Sequence, residues 1–146
     1  MELKDEVRIA APRDVVYARL NDTETLKACI PGCEELVQIS DTEMEAKVVL
    51  KIGPVKAKFG GKVKLDRKNA PGGFSLAGEG SGGIAGFAKG GADVELIEDG
   101  DGTILRYTAK ADVGGKIAQL GSRLIVSTSQ KLAKAFFEKF AAEVEA

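Results

Sequence analysis

At 146 residues and 15.3 kDa the chain has the length of one domain, residues 1–146, and no room for two of ordinary size. Hydrophobic residues make up 44% and charged residues 29%, enough apolar material for one sizeable core, and a net charge of −1 provides no global field for nucleic acid. Histidine and tryptophan are absent and aromatics are only 5%. That removes histidine general bases, Ser-His and Cys-His nucleophile pairs, the usual zinc and haem ligand sets, and base-stacking platforms.

The opening residues Met1-Glu2-Leu3-Lys4-Asp5-Glu6 are too charged for a secretory signal. No uncharged run approaches the ~18 apolar residues of a membrane span, so a cytoplasmic chain is expected. Residues 2–10 alternate, with Leu3, Val7 and Ile9 opposite Glu2, Lys4, Glu6 and Arg8, and read as a strand whose apolar side Asp5 interrupts. Pro12 suits the first turn of a short helix. Asn21-Asp22-Thr23 starts a second helix, which Pro31-Gly32 stops. Cys29 and Cys33, with Pro31-Gly32 between them, read as buried or half-buried free thiols, with redox or metal chemistry as the lesser alternative.

From about residue 35 the period becomes two. Met44, Ala46, Val48, Leu50 and Ile52 share one side, and Gly53-Pro54 turns the chain. Val55, Ala57, Phe59, Gly61, Val63 and Leu65 then alternate with Lys56, Lys58, Lys62 and Lys64. After Asn69-Ala70-Pro71-Gly72-Gly73 follow Phe74-Leu76-Gly78-Gly80, then Ala88-Gly90-Ala92-Val94-Leu96. A turn at Asp99–Gly102 leads to Leu105-Tyr107-Ala109-Ala111-Val113. Short turns between successive strands predict an antiparallel meander. After Gly114-Gly115 the spacing is helical, predicting one helix from about Lys116 to Glu145, roughly 45 Å long. The predicted fold is α+β: a curved antiparallel sheet of about seven strands around a long C-terminal helix, with two short helices after the first strand, the helix-grip architecture.

The sheet face meant for the helix is rich in Gly and Ala at Ala57, Gly61, Gly78, Gly80, Gly90, Ala92, Ala109 and Ala111. Either helix and sheet approach closely and glycines let strands bend, or a cavity is left for an apolar ligand. Recurrence on four strands favours the cavity. Leu65, Phe74, Leu96, Phe136 and Phe140 would close one end. Gly78-Glu79-Gly80-Ser81-Gly82-Gly83 formally matches the dinucleotide fingerprint, but residues 84–98 continue as a strand where that motif needs a helix. It reads instead as a bent hairpin, with Ile84 and Phe87 either exposed at its tip or tucked into the core. The lysine strand reads as a solvated face, or alternatively as a docking surface for an acidic partner or anionic lipid. Among polar candidates near the grip, only Asp5 and Tyr107 share its inward parity.

Particular segments resemble a known family. Ile9–Tyr17 resembles the opening of START-like (SRPBCC) domains. Ile30-Pro31-Gly32-Cys33, the run Gly53–Gly61, and Gly78-Glu79-Gly80 running on to Phe87-Ala88-Lys89-Gly90 resemble the carbon monoxide dehydrogenase G-subunit family. The likeness covers essentially the whole chain. It implies a helix-grip fold with a hydrophobic cavity, in an accessory protein tied to membrane attachment of molybdenum-type carbon monoxide dehydrogenases. Fuller members carry a linker and a hydrophobic tail after the long helix, whereas the sequence here stops at Ala146, either as a short form or with the tail outside it; what is expected of these residues themselves is a transient contact with the inner face of the membrane.

The leading expectation is a cofactor-free, non-enzymatic protein that holds a lipid or quinone between sheet and helix. Ala57, Phe59, Gly61, Gly80, Ala92, Tyr107, Ala109, Gly121 and Leu124 are the expected lining. Pro31, Gly32 and the hairpin Gly82–Phe87, with Gly83, Ile84 and Phe87 foremost, are the expected mouth. No residue is expected to bind metal or act in catalysis. The alternatives are a ligand-free docking module for a dehydrogenase, and a small hydrolase or cyclase using Tyr107 with an acid.

Overall fold

The structure is a computed structural model that describes residues 1–145; Ala146 lies outside the described residues. The chain begins with strand β1 (Glu2–Ile9), followed by two short helices, α1 (Arg13–Leu20) and α2 (Thr23–Cys29). Six strands come next: β2 (Cys33–Gln38), β3 (Glu43–Ile52), β4 (Val55–Asp66), β5 (Gly73–Ser81), β6 (Phe87–Asp99) and β7 (Gly102–Gly114). Helix α3 (Ser122–Glu145) closes the chain. The strands form one antiparallel sheet in the order β1-β7-β6-β5-β4-β3-β2, a meander whose first strand pairs with the last. This is the predicted helix-grip arrangement.

The long helix is shorter than its periodicity suggests. Lys116–Leu120 is a 3-10 turn, and Gly121 follows at φ +92° before α3 begins at Ser122. Ile117 and Leu120 keep an apolar spacing across this break, so the pattern alone runs straight through it. With 24 residues, α3 spans about 36 Å. The glycine-rich segment after β5 is a hairpin tip: a three-residue 3-10 turn, Gly83–Ala85, leads directly into β6. No helix follows it, so the dinucleotide reading has no structural support.

Inward positions alternate as the sequence predicts, with the β4 lysines exposed and the residues between them half-buried. The core lies at one end of the grip. Ile9, Val16, Leu20, Cys29, Phe74, Leu96, Leu105, Phe140 and Val144 are buried there, with Leu65 and Phe136 packed against them. Phe136 and Phe140 stack at 5.8 Å, and Tyr17 meets Phe74 edge-on at 5.9 Å.

Helix α2 is fixed at its start by Asp22, whose carboxylate accepts hydrogen bonds from the Thr25 backbone N–H (3.2 Å) and hydroxyl (2.6 Å). The Thr25 oxygen in turn accepts from Arg19 Nε at 2.9 Å. At the other end the helix stops at Ile30, and Gly32 takes φ +75° with its carbonyl bonded to Val49 N–H at 2.9 Å. The hydrogen bonds from Thr25 hold the Asp22 carboxyl below its ordinary value of 3.8. A carboxyl depressed on folding stabilises fully above its unfolded pKa, and the contribution fades as pH falls through the folded one. Asp22→Ala should therefore cost about 1 kcal/mol at pH 7, by urea denaturation. The gap to the unsubstituted protein should narrow when the same measurement is made below pH 3.8.

Candidate functional site

Strand register arranges the inner face of the sheet into rows of graded size. One row reads Ala46, Gly61, Gly80, Ala88, Val113; the next reads Met44, Val63, Gly78, Gly90, Ala111. The third is Leu65, Leu76, Ala92, Ala109, Leu3, and beyond it come Phe74, Val94, Tyr107 and then Leu96, Leu105, Val7. Small side chains thus gather at the end of the β5–β6 hairpin and large ones at the end of α1.

The glycines have a local cause. A Cβ at Gly61 would lie 2.5 Å from the Glu79 carbonyl oxygen, one at Gly78 would lie 3.2 Å from that of Lys62, and one at Gly90 would overlap that of Lys110. Neighbouring backbone occupies the space because the strands coil tightly there. The two explanations of the small-residue face therefore both hold: glycine permits the bend, and the bend with no side chains leaves a hollow.

Helix α3 repeats the gradient. Its C-terminal half places Phe136, Phe140 and Val144 in the core, while its first half presents Ile125, Thr128, Ser129 and Leu132 to the hollow. The helix packs against β1 at one edge of the sheet, β3 beside the opposite edge strand, and α2. Between helix and sheet lies a cavity of about 550 Å³, within the range that takes a drug-sized ligand. Its walls are the small rows, Phe59 on β4, the Ile30-Pro31 turn after α2, and Ile117 below the helix. Lys62, Glu79, Lys89 and Lys110 border it through backbone, since strand alternation turns their side chains to the opposite face. Apolar groups dominate the lining. On the helix side the polar exceptions are Ser129, whose hydroxyl donates to Ile125 O at 2.8 Å, and Thr128.

Of the expected lining, Phe59, Gly61, Gly80, Ala92 and Ala109 come together on this cavity, as does Pro31 from the expected mouth. The others stand elsewhere. Ala57 is half-buried nearer the β3–β4 turn. Gly121 is exposed, with open space where a side chain would stand. Leu124 packs over the β3–β4 turn, its Cδ2 2.8 Å from the Cβ position of Gly53. Tyr107 stacks on Phe137 at 5.2 Å and faces a separate groove of about 490 Å³ between β1 and α3, shared with Asp5, Lys134 and Glu138. Gly32 is tied to β3 and leaves the rim to Ile30 and Pro31. Gly83 and Ile84 point into solvent, and Phe87 lies on the outer face over Gly114. Only Ala85 of the hairpin tip is a buried side chain, close to the Lys116–Leu120 turn. Ile30, Ile117, Ile125 and Leu132 line the cavity without having been singled out. The spacing Ile125, Thr128, Ser129, Leu132 identifies that face once the helix is phased from Ser122.

Chemically the cavity offers apolar contact and a hydroxyl. Tyr107 is held above its ordinary 10.0 by burial and then by Asp5, so it stays protonated at neutral pH. Burial likewise raises both free thiols, Cys29 and Cys33, the opposite of what a nucleophilic or metal-binding cysteine needs. Among the described residues no group of His, Cys, Asp or Glu is placed to hold a metal, and no helix is long and apolar enough to cross a membrane. On the outer face, Lys58 pairs with Glu34 (2.9 Å), Lys62 with Glu45 (3.6 Å) and Lys64 with Glu43 (3.7 Å). That largely neutralises the lysine strand as a docking surface.

Seven antiparallel strands gripping a C-terminal helix over an apolar hollow define the helix-grip fold. A START superfamily protein from Mycobacterium smegmatis superposes with TM-score 0.75 at 12% identity, over 99% of this chain and 97% of that one. The Zhui aromatase/cyclase from Streptomyces sp. R1128 gives 0.73 at 13%, over 99% and 93%, so the fold also hosts enzymes. A conserved protein from Geobacillus kaustophilus is much nearer, with TM-score 0.93, 27% identity, and coverage of 99% and 95%. No curated protein matches the sequence. The family model of the carbon monoxide dehydrogenase G subunit (CoxG) matches residues 6–145, and the chain belongs to that family.

Space around the glycines separates two substitutions one strand apart. Gly90→Ala should cost about 1–3 kcal/mol because the Lys110 carbonyl must move. Gly80→Ala, whose nearest neighbour would be 3.5 Å away, should be neutral or stabilising by about 0.4–1 kcal/mol. Urea midpoints of the two variants check this.

Proposed function

We propose that this protein is a non-enzymatic carrier that holds an apolar small molecule, a lipid or a quinone, in the cavity between sheet and α3. In this role it is accessory to a molybdenum-type carbon monoxide dehydrogenase and acts at the inner face of the membrane. The observation that carries the reading is the cavity itself: about 550 Å³, walled by the small inner rows and the Ile125–Leu132 face, with no titratable side chain aimed into it. Each Å² of apolar ligand surface removed from water there contributes about 25 cal/mol. Family membership supports the accessory role and the dehydrogenase partner. A dehydrogenase must pass electrons to an acceptor, and a protein that merely delivers one needs no redox group of its own.

The test is occupancy. Native mass spectrometry of the purified protein, followed by solvent extraction, should find a stoichiometric isoprenoid or lipid. Ala92→Phe, at the centre of the third inner row, should fill the hollow and lower uptake of added quinone or fatty acid at least tenfold. Its urea stability should stay within about 1 kcal/mol, since the ring enters empty space. Leu124→Ala, off the cavity wall, should bind as before. A protein that leaves purification empty and takes up neither quinone nor lipid would overturn the carrier reading in favour of a docking module.

A further inference from the structure

The meander places three connections at one end of the sheet: the β3–β4 turn at Gly53-Pro54, the β5–β6 hairpin tip, and the β7–α3 junction. The cavity reaches this end through Ile52, Ala88, Val113 and Ile117. The sequence here is segregated by charge. Residues 51–65, 80–92 and 113–137 contain no Asp or Glu, although acids are as numerous as bases in the whole chain. Lys51, Lys56, Lys116 and Arg123 stand exposed at this end and join no ion pair among the described residues, whereas Lys58, Lys62 and Lys64 all do. Lys51 and Lys56 are direct cross-strand partners. Like charges so placed repel each other, and an anion brought to this end would relieve them.

The same end carries the most exposed apolar side chain among the described residues. Ile84 is 91% exposed at the hairpin tip, and Phe87 behind it is 54% exposed. An aliphatic and an aromatic side chain projecting from an uncompensated basic rim suit a surface that is apolar inside and anionic at its boundary.

We infer that this end of the grip is a docking surface for an anionic bilayer. Ile84 and Phe87 enter the headgroup layer, and Lys51, Lys56, Lys116 and Arg123 pair with lipid phosphates. The carrier reading, on which this rests for its purpose, gives the docking its use: the cavity is turned to the membrane from which its occupant is drawn.

Sedimentation with vesicles of phosphatidylcholine alone, and of phosphatidylcholine with phosphatidylglycerol, tests it. The protein should bind the anionic vesicles and not the neutral ones, and added salt should weaken binding. Lys51→Ala, Lys56→Ala and Lys116→Ala together should lower partitioning on the order of a hundredfold, about fivefold per charge. Ile84→Ser should lower it about tenfold or more. All these side chains are exposed, so the fold should survive, and unchanged uptake of a soluble fatty acid by the cavity would verify that. Lys62→Ala with Lys64→Ala, from the ion-paired face, should sediment as before.

Equal binding to neutral and anionic vesicles overturns the inference, as does no sedimentation at all, or an equal loss from the Lys62 and Lys64 pair. Retention on an acidic protein without sedimentation overturns it too, and assigns the residues to a protein partner. In each case fatty-acid uptake reports separately on the carrier reading. Conversely, vesicle binding by a protein whose cavity takes up nothing would keep the docking surface and lose the carrier.

Discussion

Everything at the cavity end of this molecule depends on backbone approaching backbone at Gly61, Gly78 and Gly90. The carbonyls of Glu79 and Lys110 stand where side chains at Gly61 and Gly90 would otherwise be, and that of Lys62 presses close to the Cβ position of Gly78. Absence of a Cβ permits this close approach and lets the strands bend there. Because the same positions face inward, the requirement for curvature removes the side chains that would fill the space it creates. The hollow is a consequence of how the sheet bends. Packing density there falls below that of an ordinary core for a backbone reason.

A hollow of this size would ordinarily collapse, since burying apolar surface is favourable. Here the helix is held off the sheet from both sides. Its C-terminal half is anchored by Phe136, Phe140 and Val144 in the core, and the helix also contacts β1 at one edge of the sheet and β3, next to the opposite edge strand. Helix α2, pinned by Asp22, adds a third support beside the cavity and delivers Ile30 and Pro31 to its wall. Stability and ligand space are thus divided along one axis. Large residues consolidate the α1 end of β5, β6 and β7, whose hairpin ends carry Gly and Ala on the cavity wall.

Much of this was legible in the sequence, because period-two patterning with hairpin-length turns specifies a meander and parity specifies its inner face. What parity does not supply is position along the strand. Tyr107 and Ala109 share a face, yet one sits in the row of large residues and the other on the cavity wall. The helix misled for a different reason. Ile117 and Leu120 belong to a 3-10 turn that happens to continue a three-residue spacing, so Gly121 and Leu124 were assigned to the inner face while Ile125, Leu132 and their neighbours hold it. The hairpin tip was ambiguous between exposure and burial because its glycines permit either. The structure divides it, burying Ala85 and leaving Ile84 and Phe87 outside.

The distribution of titratable groups bears on whether the cavity does chemistry. The groups whose proton affinity the fold visibly alters are Arg8, Asp22, Cys29, Cys33, Lys58 and Tyr107. None of them lines the cavity. Arg8 and Lys58 respond to carboxylates on the surface, Asp22 to its own helix cap, and the thiols and phenol to burial. Catalytic sites gather perturbed groups because proton transfer near neutral pH requires them, whereas a site that only holds an apolar molecule is better without any charge to desolvate. A wall of glycine, alanine and aliphatic carbon with a hydroxyl at Thr128 meets the second requirement. The likeness of backbone to an aromatase/cyclase is a likeness of fold and does not carry that protein's chemistry with it.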